Sequence, residues 1–215
     1  MFKKKPFFIV FEGVEGCGKS YQSKKLFKKL KQNGFNTILT REPGGTPSAE
    51  LIRSLILKDY FNKNKKEKFD KYTDTLLYLA ARNEHIKNKI KPALLKKKVV
   101  ICDRFVDSTL AYQVFGKQVN KLFIDNIHKF ILQGVKPNIT FILKVSTKSS
   151  KNRLKQRRTK NRYDNFAQSF YTKAQESFLK IAKNKKNYYI IDSSKNDNEL
   201  EKKILKIISK YLNIK

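Results

Sequence analysis

Residues Gly13–Ser20, Gly-Val-Glu-Gly-Cys-Gly-Lys-Ser, have the types and spacing of a phosphate cradle. Gly13, Gly16 and Gly18 let the chain wrap tightly, carrying Val14, Glu15 and Cys17 between them. Successive backbone N–H groups then converge on an anion. The helix that opens at Lys19 adds the positive end of its dipole. In this pattern Lys19 reaches the β- and γ-phosphates of a nucleoside triphosphate, and Ser20 ligates Mg²⁺. A glycine-rich stretch is often only a turn. Here it sits between an apolar, β-favouring run, Phe7–Phe11, and a helical pattern, which is the context the motif requires.

Four further stretches carry chemistry. Val-Val-Ile-Cys-Asp103-Arg104 puts a carboxylate at the C-terminal end of a buried strand, the edge where open α/β sheets bind ligands. Asp103 either holds the water shell of Mg²⁺ or orients the attacking phosphate; Arg104 offers a bidentate fork to a second phosphate. Thr40-Arg-Glu-Pro-Gly-Gly-Thr46 is a second glycine-bearing loop after a strand, with Arg41 as a phosphate ligand and Pro43 as a candidate for a cis bond. Tyr78 and Arg82 stand four apart on a helix and so share a face. An aromatic there stacks on a base while the arginine bonds its edge; taken alone, such a pair is more often a core tyrosine and a surface arginine. Between Lys148 and Arg162 lie eight basic residues and no acid. Most are a solvated face. Arg157, Arg158 and Arg162 flank a non-helical turn and suit a lid that closes over a triphosphate.

The elements that must position these groups alternate. Strands are expected at 7–11, 36–40, 99–102, 139–145 and 188–191. Helices are expected at 19–32, 47–58, 72–90, from Pro92, 107–114, 120–133, 147–157, 164–183 and 197–212. Leu51, Ile52, Leu55 and Ile56 form one apolar face of the second helix; Leu76, Leu77, Leu79, Ala80 and Ile86 are the core candidates of the third. Residues 60–71 read as an exposed connection and 158–163 as mobile. Strands separated by helices imply a parallel sheet covered on both faces, within one domain.

The chain has 49 Lys+Arg against 18 Asp+Glu, a formal net charge of +31. Such a balance raises nucleic-acid binding. Lys, Asn, Ile and Phe are abundant together, as AT-rich coding favours, and the lysines spread over most of the expected helices. The charge therefore reads as compositional drift on solvated faces. No apolar run reaches the roughly 18 residues of a membrane span. The start, Met1–Phe11, imitates a signal peptide, but its apolar part is short and runs into the glycine loop. Two cysteines, Cys17 and Cys102, suit neither a metal cluster nor an oxidising compartment, so a cytoplasmic setting is expected.

Taken together, Glu12–Ser20, Thr40–Thr46, Leu79-Ala-Ala-Arg82, Asp103-Arg-Phe-Val-Asp-Ser108 and Ala111-Tyr-Gln113 resemble the bacterial thymidylate kinases over nearly the whole chain. The resemblance implies a P-loop kinase fold, an α/β architecture with a five-stranded parallel sheet and helices on both faces. It implies transfer of the γ-phosphate of ATP to dTMP, with Mg²⁺, in a homodimer. By motif, Lys19 and the loop amides hold ATP, and Glu15 lies near the dTMP 3′-hydroxyl. Arg41 and Arg104 match arginines near the dTMP phosphate. Tyr78 matches the aromatic on thymine, Arg82 the arginine on its edge, and Ser108, Tyr112 and Gln113 the surround of base and sugar. Tyr112 is the position expected to exclude a ribose 2′-hydroxyl. Gly16 stands where one type of the family has an arginine, so this chain resembles the other type, whose lid supplies it. Three departures stand out: Tyr78 where Phe is commoner, Val114-Phe115 where glycines are frequent, and a short lid. Other readings are another small P-loop nucleotide or deoxynucleoside kinase, or a nucleic-acid-binding P-loop ATPase.

Overall fold

The computed structural model of the protein describes residues 5–58, 68–156, 168–195 and 198–214. Five strands, β1 (Phe7–Glu12), β2 (Thr37–Arg41), β3 (Val99–Asp103), β4 (Ile139–Lys144) and β5 (Tyr188–Asp192), form one parallel sheet in the order β2-β3-β1-β4-β5. β1 is buried at every position, as a central strand covered on both faces must be. Its odd residues Phe7, Ile9 and Phe11 join a core with α1 (Lys19–Gln32), α8 (Gln168–Ala182) and α9 (Asn198–Ser209). Its even residues Phe8 and Val10 face a second core with Ile86, Ile90, Ala93 and Phe105. Each large apolar side chain so buried contributes about 1.5–3 kcal/mol.

The remaining helices are α2 (Pro47–Leu57), α3 (Lys71–His85), α4 (Lys91–Leu95), α5 (Val106–Thr109), α6 (Lys121–Leu132) and α7 (Thr147–Lys155). Local chemistry sets their ends. Thr46 caps α2, accepting from Ala49 N–H at 3.2 Å, and Pro47 takes the first turn where its missing N–H costs nothing. Asp70 caps α3 through Tyr72 N–H at 2.7 Å. The sheet register pairs both Phe11 and Arg41 with Asp103, so the glycine loop, Arg41 and Asp103 reach the same edge. That edge lies at the C-terminal ends of the strands, where the strand order reverses about β1.

The structure differs from the expected elements in three places. Residues 71–95 form one helical run, with a π-helical turn at Ile86–Ile90 between α3 and α4. Pro92 follows it; a proline removes one backbone bond, and the widened turn lies just before it. A second π-helical stretch, Leu110–Gly116, continues α5. Leu51, Leu55 and Leu76 are exposed, and so is Ala80. Leu79 and Ile86 are buried as expected, but Asp74, Thr75, Arg82 and His85 also point inward on α3, because this helix borders a polar site as well as apolar core. The expected connection at 60–71 and mobile turn at 158–163 fall largely or wholly outside the described residues.

Candidate active site

A cavity of about 590 Å³ opens at the sheet edge. It is lined by Glu15, Gly16, Gly18, Lys19, Ser20, Arg41, Tyr78, Arg82, Asp103, Arg104, Ser108, Tyr112 and Gln113, all of them candidates from the sequence. Gly13, Val14 and Cys17 form the buried wall behind it. Arg157, Arg158 and Arg162 lie outside the described residues.

Three carbonyls of the glycine loop are held by side chains from the elements around it. Ser150 Oγ donates to Glu15 O at 2.9 Å, Arg153 Nη1 to Gly16 O at 3.0 Å and Ser193 Oγ to Cys17 O at 2.7 Å. Gly13 has φ +137°, and a Cβ there would meet Leu143 O at 2.6 Å, so only glycine fits. Lys19 is buried and folded onto its own loop, donating to Gly13 O at 3.0 Å and Val14 O at 2.8 Å. A phosphate oxygen is a stronger, charge-assisted acceptor for the same ammonium. Ser20 Oγ donates to Asp103 Oδ2, which brings the two expected metal ligands side by side.

A second group forms around Glu15. Arg104 Nη2 and Tyr112 O–H donate to its two oxygens, each at 2.7 Å. Burial favours the neutral acid, but Arg104 and Lys19 outweigh it and hold the Glu15 carboxyl below its usual range. Burial likewise pushes the Tyr112 phenol well up, so it stays a donor. The Tyr112 ring stacks on Phe170 of α8 at 5.8 Å, and Arg104 lies over its face at 5.2 Å.

Arg41 is only ion-paired at the surface, to Glu50 at 3.0 Å, with its side chain 55% exposed. Such a pair is worth about 0–1 kcal/mol, so exchanging Glu50 for a phosphate costs little. The loop beside it holds Glu42–Pro43 in the cis form and Gly45 at φ +92°. A Cβ on Gly45 would strike His85 and Thr40 Oγ1 at 2.6 Å.

Arg82 is 3% exposed, and its guanidinium donates to Glu42 Oε2 and Thr109 Oγ1 at 2.7 Å and to His128 Nε2 and Phe105 O at 2.9 Å. Four of its five N–H groups are thereby engaged, leaving one for the cavity. Because arginine only donates, His128 Nε2 accepts and the ring is neutral. Burial and the Arg82 charge push its pKa down to about 3. His85 Nδ1 contacts Glu42 Oε1 at 3.1 Å and its Nε2 contacts Thr40 Oγ1 at 2.6 Å. Burial opposes the Glu42 charge, yet Arg82 and His85 hold its carboxyl below the usual range. The chain's two histidines thus serve one network whose product is the orientation of Arg82.

Sequence reasoning missed Glu42, Thr109, His85 and His128 as supports of Arg82. It also missed Arg53, which lines the cavity and donates to Pro43 O at 2.6 Å, and Arg153. Glu42 stands within a quoted loop and was visible; the histidines carry no spacing signal, since α3 and α6 meet only in the fold.

Comparisons with known proteins find relatives over most of the chain. A family model described as thymidylate kinase matches residues 11–204. A thymidylate kinase of Aster yellows witches'-broom phytoplasma is 42% identical over 192 residues, 87% of this chain and 89% of the relative. One from Bacillus pumilus is 35% identical over 208 residues, 95% of this chain and 96% of the relative. The crystal structure of thymidylate kinase from Ehrlichia chaffeensis matches with a TM-score of 0.74 at 33% identity, over 95% of this chain and 99% of that one. With a family match across most of its length, and with these site residues gathered in one cavity, the chain belongs to the thymidylate kinase family.

Proposed function

We propose that the cavity holds ATP at the glycine loop and dTMP against Tyr78, Arg82 and Tyr112, and that the chain, as a single domain, phosphorylates dTMP to dTDP. One observation carries the reading: triphosphate-type ligands (Lys19, Ser20, Asp103) and nucleoside-type ligands (Tyr78, Arg82, Gln113) line the same cavity. Arg41, Arg53 and Arg104 supply cations there for phosphates. Tyr78 stacks on thymine, and the remaining Arg82 N–H bonds its edge. Ionised Glu15 accepts from the 3′-hydroxyl. Tyr112 fills the space a 2′-hydroxyl would need.

The residues present fit Mg²⁺. Ser20 and Asp103 offer two adjacent hard oxygens. Among the described residues no cluster of three His, Cys, Asp or Glu could enclose an ion. One or two protein oxygens, completed by phosphates and water, is the way this cation is held. Held by Ser20 and Asp103, it would neutralise charge on the triphosphate.

The partners follow from the surface. α2 packs on α3 and α3 on α6, yet Leu51, Leu55, Leu76 and Leu122 on these helices remain exposed. A second copy of the chain covers them in a homodimer. No helix among the described residues is long and apolar enough to cross a membrane; the free, buried Cys17 and Cys102 support work in the reducing cytoplasm. The net charge of +31 is a solvated surface without a specific nucleic-acid site.

The sugar assignment has a direct test. The kcat/KM for dTMP should exceed that for its ribose counterpart by about tenfold or more, the usual worth of a steric exclusion in a packed pocket. Comparable values for the two substrates would contradict the role of Tyr112.

A further inference from the structure

We propose that Glu12 is a positioning residue for the dTMP half of the cavity, acting through Ser108 and the turn at Arg104; this rests on the functional reading above. Glu12 ends β1, is fully buried and does not line the cavity. Its Oε1 accepts from Phe105 N–H at 2.7 Å and from Ser108 N–H at 3.2 Å, and its Oε2 lies 2.6 Å from Ser108 Oγ. Phe105 is the residue before α5 and Ser108 is the third residue within it. The carboxyl therefore caps, from another strand, a helix that has no side-chain cap of its own.

That turn needs holding. Arg104 is a non-glycine residue at φ +74°, a conformation that persists only where neighbouring contacts over-determine it. Arg104 N–H donates to Phe11 O at 2.9 Å, one residue before Glu12. Its Nη1 donates to Ser108 Oγ at 3.1 Å, and its Nη2 reaches Glu15. A chain of contacts thus runs Glu12–Ser108–Arg104–Glu15–Tyr112. Beyond α5 the same segment continues into the π-helical turn that carries Tyr112 and Gln113. One buried carboxyl fixes the whole stretch from Arg104 to Gln113.

The protonation of Glu12 sets the hydrogen-bond role of Ser108. The groups facing it are Asp107 from α5, Arg104 from the turn after β3, Cys102 from β3 and Tyr188 from β5, which itself donates to Asp107 at 2.8 Å. Burial and the Asp107 charge push the Glu12 carboxyl up to about 8, against Arg104 and the Ser108 and Phe105 donors. Near neutral pH, Oε2–H donates to Ser108 Oγ. Ser108 Oγ then accepts from both Glu12 and Arg104, and its own hydrogen is available to a ligand in the cavity. Once Glu12 ionises, Oε2 takes that hydrogen instead.

Steady-state kinetics of the full chain from about pH 6 to 9, with ATP and dTMP varied separately, test this. Glu12→Gln keeps the amide acceptor and places an N–H donor at Ser108. It should hold KM for dTMP within about threefold at neutral pH. It should also lack the rise in KM for dTMP that the unaltered chain shows above about pH 8. Glu12→Ala should raise KM for dTMP about tenfold or more, with KM for ATP within about threefold. Unchanged KM for dTMP in a folded Glu12→Ala variant, or equal rises for both substrates, overturns the positioning role. Superimposable pH profiles of the unaltered and Gln chains overturn it too, and decide the matter if the Ala variant does not fold. An unaltered chain without dTMP activity overturns both this proposal and the reading beneath it; an active chain with indifferent variants overturns this one alone.

Discussion

Lys19→Ala should stay folded and lose phosphoryl transfer by about 10²–10³-fold or more, the usual cost of removing one preorganised group aimed at developing charge. Lys19 is the ammonium inside the glycine loop, where the transferring phosphates must lie. Its present partners survive its removal. Gly13 O still accepts from Arg104 Nη1 at 3.0 Å, and Val14 O from Cys17 N–H at 3.4 Å. Neither carbonyl is orphaned, and the buried Cys17 Sγ loses only a weak 3.5 Å contact, so the large cost of an unsatisfied oxygen does not arise. The check is kcat together with a melting curve. Near-normal kcat in the variant would refute the assignment; lost activity with a collapsed melting transition would trace to folding instead.

One of Arg157→Ala, Arg158→Ala and Arg162→Ala should lower kcat by about 10³-fold with a far smaller effect on dTMP affinity, as expected for a cation that meets the moving phosphoryl group. Beyond Lys19, the glycine loop cannot add an arginine. Gly16 has φ +70°, and a Cβ there would meet Ser150 O at 2.8 Å. Among the described residues, each arginine that lines the cavity already has a protein partner. Arg82 sits in its buried network, Arg104 on Glu15, Arg53 on Pro43 O and Arg41 on Glu50. Arg153 is tied to the carbonyls of Gly16, Ser193 and Ser194 at 2.6–3.0 Å. It stands in α7, so the described part of this basic stretch is anchored to the phosphate loop. Arg162 is the first choice, since it directly precedes the following expected helix. The three single variants, measured for kcat and for dTMP binding, decide among them. If all keep kcat within about threefold, the cation comes from the cavity wall, and Arg41, with the weakest hold, becomes the first candidate.

The parts legible in the sequence are those whose physics is local. β1 shows as an unbroken apolar run because both its faces are buried, and the glycine loop shows because only glycine takes its backbone angles. That the sheet is parallel follows from strands alternating with helices, whereas the order β2-β3-β1-β4-β5 is set only by the fold. α3 was harder. Its inward face mixes Leu79 with Asp74, Thr75, Arg82 and His85, so hydrophobic spacing found Leu79 and Ile86 but also pointed to Leu76 and Ala80, which lie outside. The same inversion hid Leu51 and Leu55, apolar residues whose cover is not supplied by the described chain. The π-helical turns left no periodic trace, since each shifts the backbone bonding by one residue without changing the residue types. The supports of Arg82 come from four separate elements, the loop after β2, α3, α5 and α6, and such convergence is set by tertiary packing alone.

The central claim, ATP-dependent phosphorylation of dTMP, is tested most directly by one coupled assay of ADP formation. The full chain, with Mg²⁺ and ATP, is offered each nucleoside monophosphate in turn, with DNA as a separate addition. The account predicts rapid ADP formation with dTMP, far slower turnover with the other monophosphates, and no stimulation by DNA at near-physiological salt. Preferential turnover of another monophosphate, or ATP hydrolysis driven by DNA without any acceptor, would contradict it.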